Sequence, residues 1–145
     1  MANEATWIER HGYPPGNPVS YTVANGTAIS AGTLLVLSSD PRTASASSGI
    51  NQVFLGVVNS DKEANDGSTR IGADTAGIFD MTVVAGTADL PQIGDLVELS
   101  GANLIRAVRP RGVSGAEFIS GAKFAFGRSL ENASASEVIA VKIPY

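Results

Sequence analysis

Few side chains in this sequence suit catalysis, and their spacing is poor for it. The one histidine, His11, sits in the run HGYPPGNP with no evident orienting partner. A histidine working near neutral pH needs a neighbour that fixes its tautomer and tunes its charge. The chain has no cysteine. That removes thiolate nucleophiles, disulfides and thiolate metal sites. Its 14 carboxylates are scattered, and no pair stands out for general acid and base roles. The triplet DGS at residues 66–68 has the wrong order for an aspartic protease motif and reads as a turn.

One stretch approaches a calcium loop. In DKEANDG, Asp61, Glu63 and Asn65 have the one-three-five spacing of such a loop. Asp66 then stands where the loop needs its glycine, and Gly67 comes one residue late. Gly72 occupies the position of the distal bidentate glutamate. The stretch therefore reads as a solvated acidic turn. No phosphate-cradling loop and no dinucleotide fingerprint is present. The expectation is a non-enzyme with no catalytic residue, cofactor or metal. Arg106, Arg109 and Arg111 cluster around Pro110. They read either as a solvated turn or as arginine forks that pair with carboxylates of a partner.

Charge excludes other classes. Net charge is −4 and only 17% of residues are charged. Such a surface does not hold a nucleic-acid backbone by counterion release. No run approaches the roughly 18 apolar residues of a membrane span. The start, MANEATWIERHG, lacks the basic lead and apolar centre of a secretory signal.

Residues 1–18 differ from the rest. Pro14, Pro15 and Pro18 with Gly12 and Gly16 leave neither helix nor inner strand, so an extended arm is expected. The arm nevertheless carries Trp7, Ile8 and Tyr13. Burying an indole ring stabilises by about 2–3 kcal/mol, so a tryptophan on a solvated tail is wasteful. The arm has two destinations: its own domain, or a neighbouring subunit or partner.

From residue 19 the signals are β. VSYTVANGTAI alternates and carries Asn25-Gly26, a hairpin cue. GTLLVLSS suits a strand buried on both faces, and DPRTASASSG reads as a polar loop. QVFLGVVNS follows, with Gly56 marking a bulge or close backbone approach. In AGIFDMTVVAG, Ile78, Asp80 and Thr82 oppose Phe79, Met81 and Val83. GDLVELSGANLIRAV reads as two strands around residues 101–103. RPRGVSGAEFISG is a glycine-rich crossing with room for one short helix at 116–120. The last strand alternates Val138, Ala140 and Lys142 with Ile139, Val141 and Ile143. Nowhere does apolar spacing keep a helical period, so the fold class is all-β, a sandwich or barrel.

Two ribbons repeat. Placing Gly32 on Gly94 aligns GTLLVLS with GDLVELS. Each is followed by a strand carrying a glycine, Gly56 or Gly127, and then by an alternating strand. The halves read as related units packed into one barrel. The plainer alternative is that a glycine followed by apolar residues is a common way to begin a strand.

The segments 19–37, 54–61, 77–99 and 124–143 together resemble the small capsid cement, or head decoration, proteins of tailed viruses. The resemblance is carried by glycines and apolar strands and covers most of the chain after the arm. It implies a small β-barrel or β-tulip-like domain over residues 19–145 with an extended arm at 1–18. It implies a homotrimer on the outer surface of an expanded capsid, at three-fold positions, bridging copies of the major capsid protein. The arm would order on binding, with Trp7, Ile8, Tyr13, Pro14 and Pro15 as contacts. Strand addition to a partner's sheet is expected within residues 2–10, because proline interrupts the arm after residue 13. The runner-up function is a virion fibre or tail protein that binds a host receptor.

Overall fold

The computed structural model describes residues 3–10, 18–108 and 123–144. All regular structure among them is β, and none of it is helical. The strands are β1 (Thr6–Arg10), β2 (Val19–Thr22), β3 (Leu34–Ser39), β4 (Thr43–Ala46), β5 (Phe54–Val58) and β6 (Arg70–Asp74). They continue as β7 (Gly77–Val83), β8 (Leu96–Gly101), β9 (Leu104–Ala107), β10 (Gly127–Ser129) and β11 (Val138–Ile143).

The strands close into two five-stranded barrels rather than one. The first runs β2-β4-β3-β5-β6 and returns to β2. The second runs β7-β9-β8-β10-β11 and returns to β7, with β1 attached to β7 from outside. Replacing β2 through β6 by β7 through β11, in order, converts one ring into the other. Each ring has one parallel seam, at Thr22↔Thr43 in the first and at Thr82↔Leu104 and Val83↔Ile105 in the second.

Registers match residue by residue. Leu35↔Gly56 corresponds to Val97↔Gly127, and Val36↔Ser45 to Glu98↔Arg106. Both hairpins slip register at the same place, between Leu37 and Ser39 and between Leu99 and Gly101. Gly32 N–H donates to Val58 O, and Gly94 N–H to Ser129 O. The twin ribbons of the sequence are therefore more than a shared strand start: they are β3 and β8, equivalent strands of one five-stranded unit built twice.

Two equivalent glycines are required sterically. A Cβ on Gly56 would lie 2.9 Å from the Ala73 side chain and from the Asp74 carbonyl oxygen. One on Gly127 would lie 2.8 Å from Ile143 and from the Lys142 carbonyl oxygen. Each glycine lets a neighbouring strand cross close to the backbone, as a small closed barrel demands.

Strand alternation sorts side chains to two places. Leu35, Val58, Ile71 and Ala73 fill the first barrel with Val23, Ile29 and Ala44. The intervening Leu34, Val36 and Val57 point away from that interior and join Phe79, Met81, Leu99, Ile105 and Val141 of the second barrel. One wall of the first barrel thus closes the core of the second. Phe54 stacks on Phe126 across this contact, with centroids 4.1 Å apart. Such a pair adds about 0.5–1.5 kcal/mol to its area burial.

Two local expectations fail. Asn25-Gly26 forms a turn but no hairpin, since among the described residues β2 pairs only with β4 and β6. Asn25 is otherwise engaged: its Oδ1 accepts from Gly67 N–H and its carbonyl accepts from Lys62. The segment 40–49 is not all loop, because Thr43–Ala46 forms β4. Its small residues alternate, and Ala44 turns into the barrel. The helix expected at 116–120 lies outside the described residues.

Candidate binding surface

The arm enters along the join between the barrels. Ala5 is buried, and its N–H donates to the Gly32 carbonyl at 2.6 Å. The next five residues form β1, antiparallel to β7, with Thr6↔Asp80, Trp7↔Phe79, Glu9↔Ile78 and Arg10↔Gly77 in register. This place is free on β7 because β9 reaches only Thr82 and Val83. Residues 5–10 therefore tie the first barrel's glycine turn to the second barrel's sheet. Of the two destinations open to the arm, residues 5–10 take the chain's own body.

β1 is the outermost strand of its sheet, so its far edge is unpaired among the described residues. The register slips between Trp7 and Glu9, which makes Ile8 the bulged residue. The residue is 54% exposed. Of Trp7 the backbone alone is described. Tyr13, Pro14 and Pro15 lie outside the described residues.

Arg106 faces inward to its own chain. Its Nε donates to Glu98 Oε1 at 2.9 Å, from directly opposite positions on β9 and β8. Glu98 is buried, and burial pushes its carboxyl above the usual glutamate range while the Arg106 bond and charge pull it back. Arg106 Nη2 is buried without a partner among the described residues. One edge of the fork is thus turned to the chain's own Glu98. Arg109 and Arg111 lie outside the described residues.

The acidic stretch carries its own cation. Lys62 is buried, and its Nζ donates to the carbonyls of Asn25 (2.9 Å), Thr27 (3.3 Å) and Glu63 (3.0 Å). The Asp66 carboxylate stands 3.2 Å away. The Ser68 N–H, then Lys62, holds the Asp66 carboxyl below its ordinary range. Asp61, which opens the near-miss calcium spacing, caps a turn: its Oδ1 accepts from Ala31 N–H at 2.7 Å. Asn132 does the same for Ile93 N–H at 2.8 Å in the second barrel. Among the described residues no group of three His, Asp or Glu side chains could hold a metal ion.

The surface feature that sequence reading missed is apolar. Leu37, read as part of a buried ribbon, is 46% exposed. Val53, whose carbonyl accepts the Leu37 N–H at 2.9 Å, is 45% exposed. Beside them Leu37, Ser38, Ser39, Asp40 and Arg42 line a depression of about 280 Å³. Leu37 and Leu99 occupy the same position in the repeat, so the aligned ribbons carry no signal that one is exposed and the other buried. No protein-family model matches the chain, and no curated protein matches it.

Proposed function

We propose that this chain is a structural virion protein, a capsid cement that binds the outer face of an expanded head as a homotrimer and bridges copies of the major capsid protein. The observation that carries the reading is β1, an outermost strand whose far edge is unpaired among the described residues, with an exposed Ile8 at its bulge. Such an edge accepts a partner's strand through main-chain hydrogen bonds, and a side chain beside it adds apolar contact. The bulge keeps the paired stretch short, which suits a contact repeated around three-fold axes. Support also comes from the cement-like pattern of residues 19–37, 54–61, 77–99 and 124–143. The low charge fits a surface made for packing against protein.

The test is to mix the purified protein with DNA-free expanded heads of a virus that encodes it and to sediment the mixture. Co-sedimentation at a fixed stoichiometry is expected, weakened about tenfold or more by Ile8→Asp. Heads that sediment bare at micromolar protein would overturn the reading.

A further inference from the structure

The duplication supplies an internal comparison of covered and uncovered surfaces. Where the barrels join, the β8–β9 end of the second is seated on the β3–β5 wall of the first. Leu99 there is 1% exposed and Asn103 is fully buried. Asn103 Oδ1 accepts the Leu34 N–H at 2.9 Å, and its own N–H donates to Ser47 Oγ at 2.9 Å. The equivalent residues at the β3–β4 end are Leu37 and Arg42. Both are exposed. Arg42 shares the left-handed backbone of Asn103, with φ of 47° against 57°. The receiving wall shows the same asymmetry. Leu34 and Val57 are fully buried, whereas their equivalents on the second barrel, Leu96 and Arg128, are partly buried and exposed respectively.

Among the described residues, one chain thus leaves open one end and one wall of a contact that it already makes internally. A contact between two different surfaces is heterologous, and it repeats from copy to copy until a ring closes or a filament grows.

We propose that a second copy of this chain covers the β3–β4 end, seating it on the β8–β10 wall as the β8–β9 end seats on the β3–β5 wall within the chain. Leu37 and Val53 supply the apolar contact. Asp40 at the tip meets the Arg128 side of the wall. Arginines at positions 42 and 128 make this version more polar than the internal one, which fits a surface that is solvated before assembly. In the homotrimer of the proposed function, this contact repeated three times would link six barrels head to tail. The inference rests on the self-association named in the proposed function and supplies its surface; it does not depend on the shell.

The chain lacks cysteine, so introduced thiols report cleanly. Arg42→Cys protein is mixed with Leu96→Cys protein under mild oxidation, and Arg128→Cys replaces the latter where it does not fold cooperatively. Disulfide-linked pairs are expected in the mixture and not in either variant alone. Leu37→Asp should raise the concentration midpoint of self-association about tenfold or more by analytical ultracentrifugation. Wild-type protein that stays monomeric at every concentration, no cross-link in the mixture, or Arg42→Cys linking to itself overturns the inference. So does a Leu37→Asp variant that still self-associates but no longer binds heads, since that assigns the end to a shell protein. Cross-linking as expected without any head binding upholds the inference and removes the proposed function.

Discussion

Ala5 donates its N–H to the carbonyl of Gly32, and this single bond lays the arm against the turn that opens the first barrel. Gly94 opens the second barrel with the same φ of 88°. The two glycines differ in surroundings. A Cβ on Gly32 would drive into the Ala5 carbonyl oxygen and come within 2.7 Å of the Glu4 side chain. One on Gly94 would meet nothing within 4 Å.

The pair therefore separates backbone strain from steric conflict. Gly94→Ala should cost about 1–2 kcal/mol, the penalty of a left-handed backbone for an L-residue. Gly32→Ala should cost about 3 kcal/mol or more, because it also displaces the buried arm. Urea unfolding of both variants measures the gap, and a chain lacking residues 1–5 should close it. Equal losses in the full chain would show that the arm does not press on this turn.

Lys62 concerns the loop between β5 and β6. Its ammonium gathers the carbonyls of Asn25, Thr27 and Glu63, which join the crossing segment after β2 to the segment before β6. Lys62→Met keeps the stem and removes the donor, leaving three carbonyls without it. The expected loss is about 2–4 kcal/mol. Asp66→Asn should cost far less, because that carboxylate is solvated and its strongest partner is the Ser68 N–H. Urea midpoints give both values. A silent Lys62→Met would show that water replaces the ammonium at no cost.

Reading from sequence succeeded where a residue's role is local. The alternation from Ile78 to Val83 and from Val138 to Ile143 appears unchanged as one inward and one outward face. The glycines at 56 and 127 are close approaches, as their place inside apolar strands implies. Failures came where the answer depends on a distant partner. Closure of the first barrel rests on the parallel pair Thr22↔Thr43, and nothing in either short strand announces the other. Leu37 and Leu99 share a sequence context but not an environment, since the second barrel has a wall against it and the first does not. Lys62 was hidden because its stretch reads as a solvated acidic turn, and the carbonyls that hold its ammonium come largely from a distant segment.

The Glu98–Arg106 pair yields a signed pH dependence. Burial raises the Glu98 carboxyl in the folded chain, against the pull of Arg106. Over the window that starts at the ordinary glutamate value, about 4.3, and extends upward, the folded chain holds this proton more tightly than the unfolded chain. Stability from this residue is therefore complete below the window and falls as pH rises through it. Glu98→Gln cannot ionise, and its Oε1 can still accept the Arg106 Nε–H. The stability difference, variant minus wild type, should accordingly grow more positive between about pH 4 and pH 7, as urea midpoints at each pH would report. A difference that stays flat, or that moves toward wild type as pH rises, would mean that Arg106 outweighs burial and holds the carboxylate charged throughout.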